Sequence, residues 1–331
     1  MAYLSASTSP SSTWVFYFFG LAYPWFLIFN LVFILFWAWQ RKRFFLYSLA
    51  TLLFGWSNIG KFVGISIFDG DKGKQNIKIL TYNTNAFSHG KEKKNAKQYA
   101  QSINDFFEKE KADIICLQEF VETDAALKAE LQKYAYLENY YVAHPDKIAI
   151  VILSKFPVLN TGFLNFNTGN NDVLFADLDI NGTTIRIYTA HLQSNNVSVR
   201  TSDLIKNKEL DKESAKTTRN VLADVKRAYV VREKQTIRLK AHIKTSPYPV
   251  IVCGDFNDTP QTYTYNILAE GLKDSWETRG FGRGSTYGGA IPFLRIDYIL
   301  TNPKMKIIDA DVNRSVDFSD HYPVTAEVAI K

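Results

Sequence analysis

The chain has 331 residues, of which 46% are hydrophobic and 15% aromatic, so it can bury one large core or two ordinary ones and is not a globally disordered polymer. Its formal charge of +6 is not a domain-wide footprint for nucleic acid. Arg41, Lys42, Arg43 and Lys61 supply four of those charges and leave 35 basic against 33 acidic residues elsewhere.

Two long apolar runs come first. No charged residue lies between Trp14 and Gln40, and a second run from Phe44 to Phe68 is broken only by Lys61. A helix that crosses a bilayer core needs about 20 apolar residues, which predicts a membrane anchor over 1–68 with transmembrane helices at about 14–39 and 44–67. Lys61 would snorkel to the interface. The cations Arg41 to Arg43 lie between the helices, so the positive-inside rule makes this tip cytoplasmic. The protein is thus expected to be an integral membrane protein with its remaining domain on the extracytoplasmic side. A polar linker, 69–76, follows. Eight extended residues reach only about 26 Å, which holds the next domain close to the bilayer.

From Ile77 onward the elements alternate and then become β-rich. Ile77 to Tyr82 reads as a strand, Asn95 to Lys109 as an amphipathic helix and Asp113 to Leu117 as a buried strand. Ile148 to Leu153 is next, then Val173 to Ile180 and Thr183 to Thr189, joined by Asn181-Gly182, a strong hairpin signal. A helix from about Glu213 to Lys244 precedes strands at Pro249 to Cys253, Arg295 to Leu300, Lys306 to Val312 and Pro323 to Ile330. Roughly eleven strands without a repeating βαβ unit place 77–331 in the α/β (α+β) class, as two mixed sheets packed face to face and covered by helices. Cys116 and Cys253 lie within apolar strand runs and are expected to pack rather than pair. The segment Arg200 to Lys240 holds 12 basic and 6 acidic residues and reads either as a polyanion-facing helix or as a solvated one. The glycine-rich stretch Arg279 to Gly289 is either a loop over a substrate or a surface connection.

Six polar strings end or follow the apolar runs: Thr81 to Asn85, Leu117-Gln118-Glu119, Thr189 to Leu192, Gly254 to Asp258, Arg295 to Tyr298 and Ser319 to Pro323. Acids, amides and histidines are costly where a buried strand emerges unless they are paired, metal-bound or used. Glu119 either has a structural partner or holds a hard cation, with Asn83 and Asn85 as further oxygen donors; magnesium suits such a set. Asp255 and Asn257 supply a general base and an amide donor, or else an Asx-turn. His321 beside a carboxylate such as Asp297 would be held as an imidazolium, and Asp320 would face another way and join the metal. His191 is a second phosphate contact or proton donor, or a structural histidine.

In order and identity these strings resemble the endonuclease/exonuclease/phosphatase superfamily, the metal-dependent group that includes deoxyribonucleases, abasic-site endonucleases, inositol-polyphosphate phosphatases and neutral sphingomyelinases. Gly254-Asp255-Phe256-Asn257 and Ser319-Asp320-His321 are the most specific parts, and the likeness runs from about Ile77 to Lys331. It implies a four-layer α/β/β/α sandwich and hydrolysis of a phosphodiester, in nucleic acid or in a phospholipid or sphingolipid head group. By the resemblance, Glu119, Asn83 and Asp320 serve the metal, magnesium with manganese as the alternative. Asp255 activates water, Asn257 stabilises the phosphoryl oxygens, Asp297 pairs with His321, and His191 matches the extra histidine of the deoxyribonuclease and sphingomyelinase branches. Asn85 stands where some nucleases have an Asp, and Lys147 where a Gly is common. The reading from a different class is a non-catalytic protein that binds phosphorylated ligands or anionic polymers at the cell envelope.

Overall fold

Period-two alternation decides which way each side chain points, and it builds the layers of this molecule. The computed structural model describes the chain apart from residues 69, 71, 72, 74, 90–95, 122–138, 143–147, 170, 195–211, 290 and 331, so Lys147 and the first part of the basic segment lie outside the described residues. Its strands are β1 (Val63–Ile65), β2 (Gln75–Asn83), β3 (Ile114–Val121), β4 (Asn139–Val142), β5 (Ile148–Ser154), β6 (Val158–Leu164) and β7 (Val173–Ile180). Then come β8 (Thr183–His191), β9 (Val250–Asp255), β10 (Lys273–Asp274), β11 (Phe281–Arg283), β12 (Asp297–Thr301), β13 (Lys306–Val312) and β14 (Val324–Ile330). One six-stranded sheet has the order β13-β14-β2-β3-β5-β4, the other β10-β12-β9-β8-β7-β6. Each contains both parallel and antiparallel pairs.

Between the sheets lie Ile77, Ile79, Ile114, Cys116, Ile185, Ile187, Ile251, Cys253 and Ile299. The alternate residues face the helices. Leu80, Tyr82, Ile115 and Leu117 meet Ile103, Phe106 and Phe107 of the helix Ala96–Glu110. On the other side Tyr188, Val250, Val252, Tyr298 and Leu300 meet Leu239 and Ile243 of the helix Lys212–Lys244, with Tyr265 and Leu268 of the helix Tyr263–Ala269. The expected four layers are therefore present. Asn181 and Gly182 have φ of 51° and 90°, as a hairpin turn that matches strand twist requires. Cys116 and Cys253 are buried free thiols in the layer between the sheets, as expected.

The N-terminal region departs from the sequence expectation. The first apolar run forms two helices, Val15–Leu21 and Tyr23–Trp39, bent by 61°. Pro24, in the first turn of the second, lacks the amide hydrogen that would continue the first. The second run does not hold one helix over 44–67. It forms Phe45–Phe54, a turn at Trp56–Ile59 and then β1, with breaks at Gly55 and Gly60. Among the described residues no single helix is long and apolar enough to cross a membrane, whereas the bent pair together meets the length and composition of a span.

Of the polar linker expected at 69–76, residues 69, 71, 72 and 74 lie outside the described residues. β1 pairs antiparallel with β11, Ser66 donates its backbone N–H to the Gly280 carbonyl at 3.1 Å, and the Gly70 N–H reaches the Ile308 carbonyl at 2.6 Å. The described residues between β1 and β2 thus run along the flank of the sandwich.

Candidate active site

Asn83, His191, Asp255 and Asp297 each share a face with buried residues two and four positions away along their strands, so the site is the upper end of the layer between the sheets. In the second sheet β8 and β9 are parallel with His191 opposite Asp255, while β9 and β12 are antiparallel with Asp255 opposite Asp297. Opposed residues on neighbouring strands point the same way. One rung therefore presents an imidazole and two carboxylates, all buried, to the gap. Gly254 makes this close parallel pairing workable: its φ is 122°, and a Cβ there would collide with the Ala190 carbonyl oxygen.

The first sheet contributes Asn83 at the end of β2. Simple alternation would turn Glu119 outward with Leu117. Instead the β3–β5 register shifts between Leu117 and Phe120, and Glu119 takes φ of 51°, a strained value for Glu that re-aims its side chain. Asn83 Nδ2 then donates to Glu119 Oε1 at 3.0 Å and to Asp255 Oδ2 at 2.9 Å, so one amide ties the two sheets together. Beneath it, Gln118 Nε2 donates to Thr81 Oγ1 at 3.1 Å and Thr189 Oγ1 at 2.7 Å, a polar layer between the apolar core and the charged rim.

Asn257, with φ of 53°, donates its backbone N–H to Asp255 Oδ1 at 2.7 Å and its Nδ2 to Asp255 Oδ2 at 3.0 Å. The Asx-turn and the side-chain amide contact thus occur together. His321 Nδ1 lies 3.0 Å from Asp297 Oδ2, the expected carboxylate–imidazole pair, and its Nε2 is 3.9 Å from Asp255 Oδ2. His191 Nε2 lies 3.2 Å from Glu119 Oε1 and 3.9 Å from Asp255 Oδ2. Asp320 joins through an intermediary: its Oδ1 accepts from Asn85 Nδ2 at 2.9 Å, and the Asn85 N–H donates to Asn83 Oδ1 at 3.0 Å.

Charge balance sets the protonation states. Burial works to raise the Glu119 carboxyl, but the hydrogen bond and charge of His191, then Asn83 and His321, outweigh it and hold the pKa at about 2. Asp255 goes the other way, to about 6, because burial and then the Asp297 charge exceed the pull of the two imidazoles and Asn83. Burial would lower His321, yet Asp297 and then Asp255 carry it up to about 10.

Carboxylates and amides dominate the rim, an oxygen-rich donor set that suits a hard divalent cation. Glu119 is ionised and about a quarter exposed, which makes it reachable, and Asn83 and Asp320 belong to the same hydrogen-bonded group. In donor chemistry the expected metal residues suit such a cation. Among the described residues the acidic and imidazole atoms found to converge are those of Asp255, Asp297 and His321, within 4.8 Å of one another. There the imidazolium of His321 already supplies positive charge.

Sequence reading missed several supports. Thr286 Oγ1 accepts the backbone N–H groups of Ile296 at 3.0 Å and Asp297 at 3.1 Å, and the Tyr322 N–H donates to the Thr286 carbonyl at 2.7 Å. Tyr287 is bridged to His321, their rings 5.2 Å apart and edge to face. The glycine-rich stretch is therefore the short strand β11 followed by a brace between Asp297 and His321. Ser319 was visible inside its motif: its Oγ donates to the Asn83 carbonyl at 2.8 Å and accepts the His321 N–H at 3.1 Å.

With this geometry in hand, comparison with known families is decisive. Residues 80–321 match the model described as the Endonuclease/Exonuclease/phosphatase family. The chain belongs to that family. Its members generally hydrolyse phosphoesters with a divalent metal. Residues 1–62 match a model described only as a domain of unknown function. No curated protein matches the chain. Among solved structures, the family fold of this chain is similar to D. rerio TDP2 complexed with a single-strand DNA product, at 18% identity and a TM-score of 0.56, covering 77% of this chain and 99% of that one. It is likewise similar to an endonuclease/exonuclease/phosphatase family protein from Bacteroides thetaiotaomicron, at 16% identity and a TM-score of 0.55 over 78% and 98% of the two chains. The Bacteroides vulgatus counterpart has 16% identity and a TM-score of 0.56 over 78% and 100%. At these identities the likeness concerns the fold.

Proposed function

We propose that the chain is a membrane-tethered phosphoesterase that uses a divalent metal, magnesium or manganese, to hydrolyse phosphodiester bonds. The observation that carries this reading is the single rung His191, Asp255 and Asp297, bridged by Asn83 to the ionised Glu119 of the opposite sheet. Glu119, Asn83 and Asp320 are the residues assigned to the metal, which when bound neutralises phosphoryl charge and acts as a Lewis acid. Asp255 is the general base for water: it is buried, raised toward neutrality and held in place by Asn83 and Asn257. His321, kept cationic by Asp297, and His191 donate hydrogen bonds to phosphoryl oxygens as charge develops on them. Asn257 holds the carboxylate and adds an amide donor.

The helix Val15–Leu21 is seated on the domain, and the tether consists of the helices Tyr23–Trp39 and Phe45–Phe54. Their side chains are exposed and apolar on many faces, as in Leu35, Phe36, Trp39 and Phe54, and Arg41 to Arg43 lie at the turn. In this reading the turn is cytoplasmic and the catalytic domain lies outside. Nucleic acid and lipid head groups are the two substrate classes, the former supported by the DNA product in the D. rerio TDP2 structure.

The test uses the full chain in detergent, with an aryl phosphodiester, single-stranded DNA and phospholipid offered in parallel, with magnesium or with chelator. Metal-dependent turnover that is lost in Asp255→Asn is the expected result. Turnover unchanged by chelator, or preserved in Asp255→Asn, would refute the assignment.

A further inference from the structure

A polar linker into β2 would suspend the domain from the pole where β2 begins, opposite Asn83. The structure roots the apolar segment at the other pole. The helix Val15–Leu21 lies directly on the loop that follows Asp255. The Tyr17 hydroxyl donates to Asp258 Oδ2, Arg232 approaches the same carboxylate at 3.3 Å, and all three residues are fully buried. Thr259 Oγ1 donates to the Gly20 carbonyl at 3.2 Å, and a Cβ on Gly20 would fall 2.5 Å from the Gln261 carbonyl oxygen. Glycine there lets the helix backbone rest on the loop. On the neighbouring stretch, Leu21 packs with Tyr287, Leu294 and Ile296, and the rings of Trp25 and Phe293 meet at 5.3 Å. These are the segments that carry Asp255, Asn257 and Asp297 and brace His321.

The helix Tyr23–Trp39 leaves from this point and becomes exposed and apolar beyond its first turn. The returning chain meets the same pole: Phe62 packs on Tyr23 at 5.2 Å, and its carbonyl accepts the Gly284 N–H at 2.8 Å. Only then does the chain descend through β1, Ser66 and Gly70 to the start of β2, which lies about 26 Å below Asn83 at strand rise.

We infer that the catalytic rim faces the bilayer holding the apolar helices, so that the site takes phosphoester groups presented at that bilayer's surface. The inference rests on the membrane-tethered phosphoesterase reading and adds direction to it. A freely hanging domain would sample all orientations, whereas one rooted by a buried ion pair, a buried tyrosine and two aromatic contacts at its rim keeps the rim toward the root. Of the two substrate classes, lipid head groups meet such a site at high local concentration, while a long nucleic acid would have to enter between the rim and the membrane.

The test uses the full chain in nanodiscs doped with a head-group rhodamine acceptor. A donor dye is placed through Asn167→Cys or Ser315→Cys, two exposed rim positions on different sheets, or through Lys304→Cys at the far pole; the native thiols Cys116 and Cys253 are buried. Higher transfer efficiency from both rim positions than from position 304 is expected, with metal-dependent release of phosphorylated head group from the same discs exceeding cleavage of added single-stranded DNA at least tenfold. Equal transfer from the three positions, or higher transfer from position 304, would overturn the orientation. Cleavage confined to DNA with intact lipids would overturn the substrate class. Transfer does not depend on turnover, so an inactive protein with close rim dyes would sink the phosphoesterase reading and leave the orientation standing.

Discussion

Asp297 and His321 show how a residue pair sets its own chemistry in this protein. Because His321 is raised from its ordinary 6.5 to about 10, its contribution to stability is complete below about 6.5 and is lost as pH climbs through the upper value. In metal-free protein the ring should remain protonated at pH 8, and Asp297→Asn should bring its midpoint down by at least one pH unit, read by proton–nitrogen NMR of the imidazole. A midpoint unmoved by that change would remove the pair. Glu119→Gln should weaken metal binding at least tenfold in calorimetric titration, and unchanged affinity would count against its assigned role. Asn83, Glu119, Asp255, Asp297 and His321 stood out as candidates because each borders an apolar strand run. The strained turn at Glu119 was not, since a register shift depends on the partner strand β5. Nor was Thr286, a common residue whose value comes from two amides brought to it by the fold.

At the scale of elements, alternation carries most of what could be read. β7 and β8 were visible in the Asn181-Gly182 turn, and β9 in its unbroken apolar run. β10 and β11 were not: two or three residues give no period, and β11 exists because β1 pairs with it. The apolar N-terminal run gave its composition clearly, but its bend at Pro24 and its seat on the 255–262 loop depend on tertiary contact. That seat has an energetic consequence. Asp258 and Arg232 are both buried, and removing one partner of a buried pair costs about 3–5 kcal/mol. Asp258→Asn should therefore lower the melting temperature of the full chain strongly, whereas Tyr17→Phe, which removes one hydrogen bond, should cost about 1–2 kcal/mol. Denaturant melts that leave both variants at wild-type stability would show that the helix Val15–Leu21 is not docked on this loop.

For the whole molecule, the two sheets are a clamp: the candidate catalytic side chains reach the same gap from strand ends and loops of both sheets, and the amides of Asn83 and Gln118 join the halves. The layer order followed from the strand count and the resemblance. The rooted rim did not, because a linear sequence places the anchor beside β2 while folding carries it to the opposite pole. The central claim is that water, activated at Asp255, attacks phosphorus. Hydrolysis of an aryl phosphodiester in oxygen-18 water by the full chain with magnesium measures this directly. Label in the phosphoryl product, with none in the released phenol and no turnover in Asp255→Asn, is the predicted result. Label in the phenol, or labelled product formed at the wild-type rate by Asp255→Asn, would contradict it.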